Sequence, residues 1–216
     1  EKDTLLETKA TDQEGRLTFE SDLWHGHYYV KEDQHLPGYL PNDEIWEIDA
    51  TYEDQNLPAI LLEKEVENQP TESYFTKTDI VTGEPVEGAK LQILDEEGTV
   101  VREWITTKEE HLEYALPAGN YILHEELPPL EDGYVSAEDV SFEVKEDGTI
   151  TKVEMKDDFS KVDISKTDIT GDTELVGVKL QVLNSKEEVL DEWISDGTEH
   201  PIEYLPVGEE LTLRET

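Results

Sequence analysis

Two copies of one short segment decide the fold of this chain. Residues 75–83 read FTKTDIVTG, and residues 164–171 read ISKTDITG. In each copy a lysine follows an apolar residue by two positions, and residues two apart share one face of a β-strand. The pattern therefore predicts that Lys77 and Lys166 point toward the protein interior. Because an isolated buried charge is costly, each lysine is expected to have a partner there.

The two lysines belong to a longer internal repeat. Residues 88–106, GAKLQILDEEGTVVREWIT, align with 177–195, GVKLQVLNSKEEVLDEWIS. Residues 113–126, EYALPAGNYILHEE, align with the end of the sequence, EYLPVGEELTLRET, with a gap of one residue. A more diverged copy begins with TFESDLWHGHYYVKED at 18–33. Self-similarity of this kind predicts tandem structural modules.

The repeat predicts three modules, which we name the first, middle and third. We expect the first module, residues 1–69, to lack its first strands, and the middle module, residues 70–159, to be complete. We expect the third module, residues 160–216, to lack its last strands. Any targeting or anchoring signal is expected to lie outside this sequence.

Within the middle module the hydrophobic pattern has a period of two. Turn signals such as TGEPVEG, LPAGN and KEDG separate short runs rich in Val, Ile, Leu and Tyr, which predicts an all-β fold of tandem immunoglobulin-like β-sandwich modules. The segment at 106–116, TTKEEHLEYAL, is the best helix candidate. Because it ends in a Leu-Pro turn, we interpret it as a strand or loop.

Alternation also places two acidic residues inside the middle module. Glu125 shares a strand face with Tyr121 and Leu123, and Asp157 shares one with Val153 and Met155. The equivalent positions in the other copies are Glu32 and Asn68 in the first module and Glu215, with Lys166, in the third.

A lysine, a glutamate and an aspartate in an apolar core can react. Desolvation favours the neutral amine and the neutral carboxylic acid. Contact between such an amine and acid supplies roughly 7–11 kcal/mol of the barrier to condensation. The glutamate would shuttle protons, and the product is a side-chain amide plus water, or ammonia where asparagine replaces aspartate. The alternative is a buried salt bridge, which is common and contributes little. Recurrence of the polar positions in successive copies favours the covalent bond.

The motifs KTDxxTG, a Gly-Ala pair before KLQIL, and LPAGxYxLxE followed by a Pro-containing loop and GY resemble a known family. They are similar to the B-type repeat of Gram-positive collagen adhesins and the prealbumin-like modules of major pilins. The resemblance implies an intramolecular isopeptide bond in which Lys77 is the nucleophile, Glu125 the proton shuttle and Asp157 the acceptor. Asp158 is the neighbour that alternation points outward.

Composition narrows the partners. The chain has 55 acidic and 17 basic residues, so nucleic acid and anionic membrane surfaces are disfavoured. It has no cysteine, no segment of the length that a membrane helix needs and no signal peptide.

The HGH sequence at 25–27, near Asp33 and His35, lacks a zinc spacing, and the acidic clusters lack the EF-hand pattern. We predict no metal and no cofactor. The repeated Trp104 and Trp193 indicate core packing.

The sequence therefore favours a structural stalk or spacer of a bacterial surface protein or pilin, located outside the cell at the cell wall. Bond formation occurs once per molecule, so the protein is not an enzyme. The partners expected are neighbouring modules of the same chain and, through other regions, a host extracellular matrix protein or glycan. An adhesive module that binds a host ligand through its loops is the alternative function. A calcium-stabilised module is a third hypothesis.

Overall fold

The structure is a computed structural model that describes residues 4–21, 23–51, 63–171 and 173–216. It confirms the all-β expectation, since the described elements are strands apart from one 3-10 helix, Leu130–Asp132. The strands before and in the middle module are β1 Gly26–Lys31, β2 Ile45–Ala50, β3 Glu72–Asp79, β4 Lys90–Leu94, β5 Val100–Ile105, β6 His111–Tyr114, β7 Gly119–Leu127, β8 Val140–Val144 and β9 Thr151–Asp157. The remaining strands are β10 Lys161–Ile164, β11 Val176–Leu183, β12 Val189–Asp196, β13 His200–Glu203 and β14 Thr212–Glu215.

The chain divides into two compact units. One contains Glu1–Leu36 and Pro41–Asn68, and the other contains Pro37–Leu40 and Gln69–Thr216. In the first unit, β1 and β2 form an antiparallel pair. The finer division into three modules at residues 69 and 159 stays a prediction, and we keep the three names for those residue ranges.

The middle module is a sandwich of two sheets. One sheet has the strand order β6-β3-β9 and the other has the order β5-β4-β7-β8. Apolar side chains from both sheets alternate inward and form one core, as a half-buried strand pattern requires. The members of this core are Phe75, Ala89, Leu91, Ile93, Leu116, Tyr121, Leu123, Val144, Val153 and Met155.

Strands β3 and β9 are the first and last strands of the middle module, and they pair in parallel. Their register runs from Ser73 opposite Thr151 to Asp79 opposite Asp157. Every second residue of β3 is buried, namely Ser73, Phe75, Lys77 and Asp79. The predicted alternation therefore holds along the whole strand, and it places a lysine and an aspartate in the protein interior on the same face as Phe75.

The third module has the same strand types in a smaller arrangement. Its sheets are β10-β13 and β12-β11-β14, and its buried cluster is Val182, Ile202 and Leu205. Strand β10 ends at Ile164, two residues before Lys166, and among the described residues it pairs with β13 alone.

Several local expectations have clear outcomes. The segment at 106–116 contains β6 and no helix, as expected. Trp104 stacks on His111 at 4.1 Å between ring centroids, and Trp193 stacks on His200 at 4.2 Å, so both tryptophans pack at equivalent places. Val66, two residues before Asn68, is 42% exposed and lies outside any strand, so the buried alternation that holds Val153, Met155 and Asp157 in the middle module does not extend to this position of the first module. Within the described ranges, no helix is long and apolar enough to span a bilayer.

Candidate functional site

Three charged side chains meet inside the middle module. Lys77 Nζ lies 3.0 Å from Glu125 Oε1 and also contacts Asp157 Oδ1. The lysine side chain is 1% exposed, and both carboxylate side chains are 0% exposed. The structure thus brings together the three residues that the sequence placed on separate strands, with the amine held between the two acids.

Each side chain is positioned by a different strand. Lys77 comes from β3, Glu125 from β7 and Asp157 from the last position of β9. Lys77 and Asp157 lie on neighbouring parallel strands, two register positions apart, because Lys77 is opposite Met155. Glu125 reaches them from the facing sheet. The cluster therefore depends on the sandwich being closed.

A backbone hydrogen bond fixes the glutamate. The Ala137 N–H donates to Glu125 Oε2 at 2.7 Å, which leaves Oε1 directed at Lys77. The loop that carries Ala137 precedes β8. One oxygen of Glu125 is thus held by the backbone and the other faces the amine.

Burial dominates the electrostatics of the site. It raises the pKa of Asp157 to about 6, although Lys77 acts in the opposite direction and Glu125 adds to the rise. One ammonium cannot neutralise two carboxylates that are both out of water. A proton shared within the cluster relieves this imbalance, and a protonated Asp157 beside the amine is the form that can condense.

The geometry suits acyl transfer from a carboxyl group to an amine. The amine is already in contact with the Asp157 carboxyl, and a second carboxyl lies within hydrogen-bonding distance of the same nitrogen. Effective molarity in such a contact replaces the usual activation of the acid. A neutral pair of this kind needs no external catalyst, because Glu125 can both accept and return a proton.

The partial sets are placed differently. In the first module, Asn68 Nδ2 donates to Glu32 Oε1 at 2.8 Å, and Glu32 Oε2 and Asn68 Oδ1 are buried without a hydrogen-bond partner among the described residues. In the third module, Lys166 Nζ lies 3.1 Å from Glu215 Oε2, but these side chains are 31% and 58% exposed. The predicted positions therefore pair in each copy, and the set is complete and enclosed in the middle module.

Two neighbouring aspartates have distinct roles. Asp158 points outward and bonds Lys161 Nζ at 2.7 Å, as alternation predicts. Sequence reasoning missed Asp79, which is buried two residues after Lys77. Its position in the alternation of β3 is the signal that would have identified it. Its partner Tyr204 lies in the third module, and no local pattern indicates that pairing.

Comparison with known proteins places the chain in a family. The family model described as the SpaA prealbumin-like fold domain matches residues 1–64 and 72–158. The chain belongs to this family. The second of these two segments includes all three residues of the buried cluster. The resemblance and the prealbumin-like fold expected from the sequence are confirmed. A search of curated proteins finds no match.

Solved structures similar to this SpaA-family chain include a Bacillus anthracis protein and two pilins. The Bacillus anthracis TIE protein is 28% identical, with a TM-score of 0.53, and the match covers 89% of this chain and 36% of that one. The chain therefore spans about a third of the length of that protein. A streptococcal ancillary pilin is 18% identical over 89% of this chain and 66% of its own, with a TM-score of 0.43. The shaft pilin SpaA of Lactobacillus rhamnosus GG is 15% identical over 68% of this chain and 87% of its own, with a TM-score of 0.35.

Proposed function

We propose that this chain is a structural spacer of a Gram-positive surface protein or pilus, displayed at the cell wall, and that its middle module is closed by an isopeptide bond between Lys77 and Asp157. Membership in the SpaA prealbumin-like family supports the structural role. The observation that carries the bond is the contact of Lys77 with Glu125 and Asp157 in a place where all three side chains are almost fully buried.

The reaction balances within the cluster. Neutral Lys77 Nζ attacks Cγ of protonated Asp157, a C–N bond forms, and Glu125 takes a proton from the nitrogen. Glu125 then returns that proton to a hydroxyl of the tetrahedral intermediate, the C–O bond breaks, and one water leaves. Glu125 ends in the state in which it began, so the reaction needs no oxidant, nucleotide or metal.

The position of the bond explains its use in a spacer. It would join β3 to β9, the first and last strands of the middle module. Tension along the chain would then pass from one terminal strand to the other through the amide, and residues 78–156 could not be pulled out. A disulfide gives this protection in other extracellular proteins, but this chain has no cysteine.

Intact-mass spectrometry tests the proposal. The purified chain should be lighter than its sequence by one water, and Lys77→Ala should restore the full mass. Asp157→Asn should give a loss of ammonia in place of water, because the group protonated and expelled from the tetrahedral intermediate is then the NH2 of asparagine and not a hydroxyl. Lys166→Ala is the matched control, since it removes the equivalent lysine of the third module and should leave the loss of water intact.

Peptide mapping locates the bond. A digest should contain one branched peptide that joins the β3 and β9 segments through Lys77 and Asp157. An unshifted mass for the wild-type chain, with separate β3 and β9 peptides, would show that the cluster is a buried salt bridge.

A further inference from the structure

The middle and third modules contact each other through a group of residues that lies apart from the buried lysine cluster. The loop of the middle module that contains Gly133 and Tyr134 lies against the residue that precedes the Leu-Pro turn of the third module, Tyr204. Tyr204 has a φ of 59°, a left-handed conformation that is strained for a residue other than glycine. Gly133 is buried, and a Cβ added to it would overlap the backbone of Tyr204. The two backbones are therefore in direct contact.

Backbone and hydroxyl hydrogen bonds secure this contact. Ser160 N donates to Gly133 O at 2.8 Å, and Tyr204 N donates to Ser160 O at 3.0 Å. Ser160 Oγ donates to Leu205 O at 2.7 Å. Ser160 thus lies at the centre of a continuous path from the Gly133 loop to the Leu-Pro turn.

The Tyr204 side chain extends the contact into the middle module. Its ring stacks on Phe159 at 4.0 Å between centroids and meets the Tyr134 ring edge-on at 5.8 Å. Its hydroxyl donates to Asp79 Oδ2 at 2.8 Å. Asp79 also accepts hydrogen bonds from the backbone N–H groups of Val81 and Thr82. These bonds within the turn orient the carboxylate toward the Tyr204 hydroxyl.

The same backbone pattern occurs once more in this unit, at residues 38–40. Thr71 N donates to Gly38 O at 2.8 Å, Ala115 N donates to Thr71 O at 3.1 Å, and Thr71 Oγ1 donates to Leu116 O at 2.7 Å. Thr71, Ala115 and Leu116 each stand 89 positions before Ser160, Tyr204 and Leu205. Ala115 is also left-handed, with a φ of 57°. Repetition of an unusual conformation with the same bonds indicates a specific contact.

We propose that the Gly-Tyr loop of a module, together with the hydroxyl residue at the junction that follows it, such as Ser160, forms a docking surface for the Leu-Pro turn of the next module, and that Tyr204 and Asp79 lock the middle and third modules in one fixed orientation. The partner of this surface is the segment 203–206, which contains the left-handed Tyr204 with its aromatic hydroxyl and the Leu-Pro turn that follows it. The surface stiffens the spacer between modules, whereas the proposed amide acts within a module, so each can exist without the other.

Spin-label distances test the docking directly, because the chain has no native cysteine. Glu97→Cys and Lys186→Cys place labels at exposed, equivalent turns of the middle and third modules. Double electron–electron resonance should give one narrow distance distribution in this background. Gly133→Ala should broaden it severalfold, since the added Cβ cannot coexist with the Tyr204 backbone.

Gly148→Ala is the matched control for backbone strain. Gly148 has the same φ as Gly133, 83°, but the nearest atom to an added Cβ is a leucine methyl at 3.7 Å, so the distribution should stay narrow. Tyr204→Ala provides a second variant that leaves Gly133 unchanged, and it should broaden the distribution as well. A broad distribution in the parent protein, or narrow distributions in both Gly133→Ala and Tyr204→Ala, would overturn the proposal. The intact mass of each variant reports the amide separately.

Discussion

The middle and third modules share the sequence KTDI but place its lysine in different surroundings. Lys77 is enclosed with two carboxylates at side-chain exposures of 0–1%. Lys166 makes one ion pair, with Glu215, in which the side chains are 31% and 58% exposed. The local sequence is therefore insufficient to bury the lysine, and the difference must come from what packs against it.

Strand β9 accounts for the difference. It pairs in parallel with β3 from Ser73 to Asp79 and so keeps β3 extended past Lys77. In the described part of the third module, no strand pairs with β10 on that side, and β10 ends at Ile164. A strand persists only as far as its backbone groups find partners. The pairing of β9 with β3 thus supplies Asp157 and also keeps Lys77 buried.

Removal of the middle lysine should have the largest effect. Lys77→Met prevents the proposed amide from forming and leaves Glu125 and Asp157 buried without a cation. Breaking a buried ion pair from one side costs about 3–5 kcal/mol, and losing a cross-link around a loop of this size costs about 4 kcal/mol in the chain-entropy account. We expect the free energy of unfolding of the middle module to fall by several kcal/mol, measured by denaturant-dependent hydrogen exchange of β3 and β9 amides. A loss below about 1 kcal/mol, the range of an exposed pair, would contradict it.

Glu125→Gln should have a smaller effect, because it removes the proton carrier and keeps the shape. Lys77 and Asp157 stay paired, so the expected loss is that of the cross-link alone, about 4 kcal/mol. The intact mass should then show no loss of water beyond trace amounts. A variant that forms the amide at the wild-type rate would show that Glu125 only packs there.

An unreacted Asp157 also has a distinct pH dependence in this variant. Burial is the largest cause of the raised pKa of Asp157 and does not depend on the Glu125 charge, so the folded variant binds the proton more tightly than the unfolded chain does. The free energy of unfolding of this variant should therefore be highest below the unfolded-state pKa of about 4 and should decrease as pH rises through the raised pKa of the folded state. If the proposed amide replaces the carboxyl in the wild-type chain, that chain should lack this titration in a carbon-detected NMR experiment.

The sequence predicts the cluster well because it is built from local alternation and a repeat. Lys77, Glu125 and Asp157 each follow an apolar residue at a spacing of two, and a strand with one buried face converts that spacing into a direction. The strand interpretation of 106–116 succeeds for the same reason. No long-range information is needed to decide which side of a strand these residues occupy.

The sequence does not predict the features that depend on pairing between distant segments. The exposure of Lys166 reflects the absence, among the described residues, of a second strand beside β10, and Val66 is exposed because no strand forms around it. The bond from Tyr204 to Asp79 joins residues 125 positions apart. Alternation fixes the direction of a side chain, but it does not specify which other segment that side chain meets.

Asp79 should make the stability of the contact between the middle and third modules depend on pH in the acid range. Burial alone would raise its pKa, but hydrogen bonds from Thr82, Tyr204 and Val81 lower it to about 2. The folded state therefore binds the proton more weakly than the unfolded state, so this contribution is present above about pH 4 and is lost as pH falls through about 2. Asp79→Asn should cost about 2 kcal/mol at neutral pH, and its stability curve should converge with that of the wild type near pH 2. Parallel curves would show that Asp79 gains nothing from these donors.

The ion pair of the third module should contribute least. Lys166→Met removes the same residue type from the same motif, yet its partner Glu215 is more than half exposed, and water solvates the glutamate when the lysine is gone. Exposed ion pairs contribute about 0–1 kcal/mol. The measurement is hydrogen exchange of the amides of β11 and β14, two strands that pair with Leu180 opposite Glu215. Their exchange rates should change by less than tenfold. A change as large as that of Lys77→Met would mean that Lys166 is enclosed in solution, and that the difference in burial between the two copies does not set the energy of the lysine.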